Sequence, residues 1–275
     1  PKSTTQTNTM NELIVLIIAC AVLGSGVGFL AGLLGIGGGL VIVPVLIYIL
    51  PLVGVEPSVV LPVALATSLA SIIFTSTIAA FVHHRQRNIP WDIAKRLMVF
   101  VAIGALVGAY IASILSAKTL TTLFATAVLV LATYMLVSSK SNNTGGKPSD
   151  LILRCLGLFT GILSSLMGIA GGIVLVPSLS YFRLALRQTI AVATVCGVMV
   201  AIFGSIGYTI TGWGDNRVPA GSIGYIYLPA LFGIILTSSV FARYGVKLAT
   251  KLPVSILKKC FAAFLFLVAL NMIFK

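Results

Sequence analysis

The stretch Leu23–Tyr48 is a long apolar run interrupted by Gly35-Ile-Gly-Gly-Gly39 and resumed through Pro44. The same pattern returns 133 residues later, in Leu156–Tyr181, around Gly168-Ile-Ala-Gly-Gly172 and Pro177. At that offset 14 of the 26 paired positions are identical, among them Gly35/Gly168, Gly38/Gly171, Gly39/Gly172, Pro44/Pro177 and Tyr48/Tyr181. Apolar bias produces chance matches among Leu, Ile and Val. It does not align glycines and prolines in one register. The chain is an internal duplication, and the duplicated element is an apolar segment broken in its middle.

Runs of about 20 apolar residues, each long enough to cross a bilayer, follow each break, and 59% of the 275 residues are apolar while 8% are charged. That composition predicts an all-α polytopic membrane protein. A β-barrel would alternate polarity over about 10 residues, and these runs do not. Apolar segments fall at 12–34 with 40–51, 58–82, 96–116 and 119–138, then at 151–168 with 172–182, 188–211, 222–241 and 253–274. Each half, 12–138 and 151–274, is thus one broken segment plus three transmembrane helices, joined by a Ser/Asn/Gly/Lys linker at 139–150. Cys20, Cys155, Cys196 and Cys260 lack metal-like spacing and predict no disulfide framework. The polar first residues predict no cleavable signal peptide.

Loop charges set the expected orientation. The basic stretches His83–Arg96, the linker with Lys140 and Lys147, and Arg243–Lys251 belong on the cytoplasmic side of an inner membrane. Spans counted outward from them make 151–182 a hairpin that begins and ends inside, with Gly168–Gly172 at its tip. The first broken segment then begins and ends outside. The alternative is that 12–34 and 40–51 are two full spans or one tilted span, which would shift the N-terminus. Matching loops of the two halves carry opposite charge bias, as inverted-topology repeats do.

Irregular backbone at membrane depth is tolerated where it lines a cavity or is buried in protein. The expected substrate site is therefore built from the amides of Gly37, Gly38 and Gly39 and of Ala170, Gly171 and Gly172. In this reading they open two short helices that restart near Pro44 and Pro177. Thr67, Ser68 and Thr194 on the following helices are candidate hydroxyl partners. They are equally suited to bonding their own i−4 carbonyls. Gly24, Gly28 and Gly32, and their counterparts Gly157, Gly161 and Ser165, read instead as a small-residue packing face.

The five acids, Glu12, Glu56, Asp92, Asp150 and Asp215, all fall at span ends or in loops. No carboxylate, metal set or nucleophile–base pair is expected at membrane depth, which argues against an enzyme, a metal or another cofactor. His83 and His84, with Arg85 and Arg87, are candidates for gating or coupling, or else interfacial residues. The net charge of +13 reads as basic residues flanking spans rather than as a nucleic-acid surface; the expected partners are a small anion and the lipid bilayer.

Gly35-Ile-Gly-Gly-Gly-Leu-Val-Ile-Val-Pro44, its echo Gly168–Pro177, Ala64-Leu-Ala-Thr-Ser68 and His84-Arg-Gln-Arg-Asn-Ile-Pro-Trp91 resemble the TauE/SafE family of sulfite exporters over nearly the whole chain. Ala170 departs from the first repeat's Gly37. The resemblance implies a multi-pass inner-membrane secondary transporter for sulfite or a related anion such as sulfoacetate, an organosulfonate or thiosulfate. Alternating access would come from rocking one half against the other. A passive channel and an ion-coupled uptake permease of the same fold remain open readings.

Overall fold

The computed structural model describes residues 24–26, 39–137, 148–182, 184–249 and 266. The rest of the 12–34 arm, Gly37, Gly38, most of the linker, Arg183 and the expected 253–274 span (Phe266 apart) lie outside the described residues.

The described chain is almost entirely helical. Helix α1 (Gly39–Ile49) runs into a 3-10 turn at Leu50–Val53 that ends on Gly54, φ 80°. Helix α2 (Pro57–Arg85) starts with proline at its first position, where a missing N–H costs nothing. Helices α3 (Trp91–Ile114) and α4 (Ala117–Val137) follow. Helix α5 (Asp150–Met167) opens with Ser149 accepting the Ile152 N–H at 3.4 Å and closes on Gly168 in the left-handed region, φ 63°. After the break come α6 (Gly172–Tyr181) and α7 (Leu186–Thr211). A two-stranded hairpin, β1 (Ser222–Ile223) and β2 (Ile226–Tyr227), precedes α8 (Leu228–Ala249). Among the described residues, four helices are long and apolar enough to cross a membrane: α2, α3, α5 and most of α7.

Two expectations are corrected. The apolar run at 222–241 does not begin as helix: Gly221 (φ 86°) and Gly224 (φ 56°) turn residues 222–227 into the hairpin. A Cβ on Gly224 would collide with the Thr209 backbone, so only glycine fits there. The prolines sit later than expected. Both short helices begin five residues before them, at Gly39 and Gly172, so Pro44 and Pro177 fall in the second turn rather than the first. Each glycine break, not the proline, starts its helix.

Helix α2 is central. Of its apolar window 78% is buried, against 44% for α3 and for α5, and it packs on α1, α7 and α8. The most extensive contact joins α3 of the first half to α5 of the second. In lipid, helices associate through close van der Waals fit, and here glycines permit it. A Cβ on Gly104 would strike the Leu158 carbonyl, one on Gly108 would lie 2.6 Å from the Ile162 carbonyl, and one on Gly161 would strike the Val101 carbonyl. Opposite that face of α3, Val99, Ile103, Val107, Tyr110 and Ile114 are exposed, an apolar stripe fit for acyl chains. At one end of the seam Asp150 accepts from Arg96 of α3 at 2.8 Å and from Arg154 at 2.7 Å.

The loop before α8 is tied by Asp215, which pairs with Arg217 (2.8 Å) and accepts from the Tyr225 hydroxyl (3.0 Å). The adjacent Arg217 guanidinium is the main cause that holds the Asp215 carboxyl down to about 2, below its ordinary value near 4. A depressed carboxylate stabilises the fold above its unfolded pKa, and that stabilisation is lost as pH falls through the folded value. In a Trp91→Phe background, fluorescence of the neighbouring Trp213 is expected to stay constant from about pH 7 to about pH 4. It should change only as pH approaches about 2. A transition centred near pH 4 would show that the tie does not form.

Candidate functional site

The described end of the first glycine break meets the second. A Cβ on Gly39, the first residue of α1, would lie 2.5 Å from the Gly168 carbonyl oxygen, 2.7 Å from Ile72 Cδ1 and 3.2 Å from Ile169 Cα. On the other side, a Cβ on Gly168 would lie 2.8 Å from Val43 Cγ2 and 3.1 Å from Leu65 Cδ2. The start of α1 is therefore seated against the second break. Ser68, fully buried on α2, fastens the junction by donating its hydroxyl hydrogen to the Gly168 carbonyl at 2.8 Å. Ser68→Ala leaves that buried carbonyl one donor short and is expected to cost about 1–3 kcal/mol. The check is the unfolding temperature of the detergent-purified protein, and an unchanged value would show that the bond contributes nothing.

Within the second break the amides divide. Gly168 and Ile169 donate back to α5, at Ser165 O (3.3 Å) and Ser164 O (3.0 Å), and the Gly172 N–H turns to the Ala170 carbonyl. The N–H groups of Ala170, Gly171 and Ile173 have no acceptor among the described residues. These are the donors left over where a helix begins. Of the candidates Ala170, Gly171 and Gly172, the first two amides have no acceptor among the described residues and the third has one; Ile173, not among the candidates, is like the first two.

The predicted hydroxyls are engaged elsewhere in this state. Thr67 Oγ1 accepts the Tyr227 N–H at 3.1 Å, which anchors the β-hairpin on α2. Thr194 donates to the Ile190 carbonyl at 2.8 Å, the i−4 alternative. Ser71 and Thr75 likewise bond within α2.

Other hydroxyls stand without partners. Thr160, Ser164, Ser165 and Ser205 are buried, and among the described residues their oxygens make no hydrogen bond. Thr160 and Ser164 face the second break: a Cβ on Gly171 would lie 2.8 Å from Thr160 Cγ2 and 3.5 Å from Ser164 Oγ. Ser165 packs on Gly108 and Gly204, as its place on the small-residue face implied. Among the described residues no three His, Cys, Asp or Glu side chains come together to hold a metal. What this region offers a ligand is neutral donors in a low-dielectric setting, suited to an anion.

The basic stretch at the end of α2 is built differently. His83, Gln86 and Asn88 share a cleft of about 590 Å³ with Arg187 of α7, and His83 Nδ1 has no partner among the described residues. His84 lies edge-on to Trp91 at 5.7 Å, and the Arg85 guanidinium sits 4.8 Å above the Phe81 ring. Arg87 takes a positive φ of 54° just past the helix end. Of the four coupling candidates, His83 is the one that lines the cleft shared with the second half.

A family profile described as sulfite exporter TauE/SafE matches residues 20–272. The chain belongs to the TauE/SafE family. A probable membrane transporter protein of Haemophilus influenzae is 39% identical to this TauE/SafE chain over 260 residues, covering 94% of this chain and 98% of its own. A probable membrane transporter protein of Methanocaldococcus jannaschii is 27% identical, covering 88% and 89%. A sulfite exporter TauE/SafE family protein of Arabidopsis thaliana is 26% identical over 39% of this chain and 24% of its own length. No solved structure matches. The TauE/SafE chain is a multi-pass membrane transporter, not an enzyme.

Proposed function

We propose that the protein is a secondary transporter that exports sulfite, or a related small sulfur-containing oxyanion, by alternating access across an inner membrane. The observation that carries the reading is the meeting of Gly39, at the start of α1, with Gly168 and Ile169 of the second break, where the amides of Ala170, Gly171 and Ile173 have no acceptor among the described residues. A small oxyanion held there is bound by backbone dipoles without a fixed charge, and so is released readily on either side. Gly37, Gly38 and Gly39 supply the first half of that site; Ala170 and Gly171, with Ile173 beside Gly172, supply the second.

The inverted-repeat reading draws support from paired contacts. Gly157 lies against α3, with its Cβ position 3.1 Å from the Leu97 carbonyl. Its counterpart Gly24 lies against α8, with its Cβ position 3.0 Å from the Ile234 carbonyl. Each half thus sets a glycine of its first arm on a helix of the other half. With the basic loops cytoplasmic, Arg85, Arg87 and Arg187 raise the local anion concentration at the inner mouth. An inside-negative potential then favours efflux by about 2.3 kcal/mol per charge per 100 mV. Export needs no coupling ion.

The test is flux from proteoliposomes loaded with radiolabelled sulfite, thiosulfate or sulfate. Saturable sulfite efflux that quickens under a potential negative inside is the expected result. Non-saturating flux at channel rates, or uptake that depends on an imposed ion gradient, would overturn the exporter reading.

A further inference from the structure

Many described helical Ser and Thr hydroxyls in this chain bond to a carbonyl of their own helix. Thr122, Thr126, Thr133, Ser178, Thr189, Thr194, Thr211 and Thr237 each donate to the carbonyl four residues back. Thr160 and Ser164 do not. Both are fully buried, both lack a partner among the described residues, and they lie one turn apart on the face of α5 that meets Gly171. A buried hydroxyl without a partner is costly, and here two such groups stand beside the amides of Ala170 and Gly171, which have no acceptor among the described residues and open a ten-residue helix.

Resting on the oxyanion reading above, we propose that Thr160 and Ser164 are substrate-binding residues: their hydroxyls donate to the oxygens of the anion while the break amides donate from the other side. Four neutral donors suit a compact anion with three or more oxygens that has shed its water. Packing adds a condition. The Cβ position of Gly171 is already 2.8 Å from Thr160 Cγ2, so α6 must draw away from α5 to admit the anion, which joins binding to motion of the break.

The experiment is thermal unfolding of the full-length protein in detergent, with and without sulfite, thiosulfate, sulfate or phosphate. The variants are Thr160→Val, Ser164→Ala and the hydroxyl-keeping Thr160→Ser. Without anion, Thr160→Val and Ser164→Ala should unfold at or above the wild-type temperature, because each deletes a buried hydroxyl that has no partner. Sulfite should raise the wild-type and Thr160→Ser temperatures. Its half-saturating concentration should rise about tenfold for each hydroxyl lost. If wild type responds and both deletions respond equally, the assignment is overturned while the oxyanion reading stands. If both deletions unfold lower without anion, the hydroxyls are structural and the assignment is likewise overturned. If no anion shifts the wild type, the oxyanion reading itself fails and the assignment with it.

Discussion

Gly161→Leu is expected to abolish recovery of folded protein. The Cβ alone would collide with the Val101 carbonyl and lie 2.8 Å from Ala105 N and 2.9 Å from Gly104 Cα, all of them backbone. A flexible side chain can swing aside, but here two helices would have to part along their length. Overpacking in a core typically costs about 1–3 kcal/mol, and against main chain on a seam this long the cost belongs at or beyond the top of that range. The total stability of a protein is itself only about 5–15 kcal/mol. Size-exclusion chromatography after detergent extraction reads the result. Ile103→Leu, on the exposed side of α3, should elute as wild type. A monodisperse Gly161→Leu protein with a wild-type melting temperature would show that α3 and α5 are not in backbone contact.

Gly172→Val should have the opposite profile: a sound fold and little transport. Among the described residues the Cβ position of Gly172 meets only Ala193 Cβ, at 4.0 Å, an ordinary contact. Two methyl groups at the first residue of α6 would crowd the N–H groups of Gly171 and Ile173, which have no acceptor among the described residues. A shift of an ångström in a positioned anion is costly when its binding depends on aligned donors. Sulfite flux in proteoliposomes should fall tenfold or more, with the unfolding temperature in the absence of anion close to wild type. Wild-type flux in this variant would remove the second break from the transport pathway.

Much of the fold is legible in the sequence because its strongest signals are discrete. Glycines repeated in one register place the helix starts at Gly39 and Gly172. Spacing of small residues identifies Gly157 and Gly161 as packing positions, and the structure sets both on α3. Hydropathy conveys that a segment spans but not which way a side chain turns, so face-specific chemistry escaped. Thr67 and Ser68 were legible as polar positions on α2. That one holds the hairpin at Tyr227 and the other the break at Gly168 depends on elements about 100 residues away or more. Thr160 and Ser164 carried only an i, i+4 spacing that any amphipathic helix shares. The start of α8 was misplaced because Ile223, Tyr225 and Ile226 are as apolar as a span, and only the backbone angles of Gly221 and Gly224 separate hairpin from helix.

The glycine seam between α3 and α5 bears on how such a protein comes to be made. Helix α3 leaves the ribosome well before α5, and until α5 arrives its Gly104 and Gly108 face has no surface that matches it. Across this seam α3 and α5 are each other's packing surface, so a chain cut between them is expected to yield two fragments that must find one another in the membrane before either is complete.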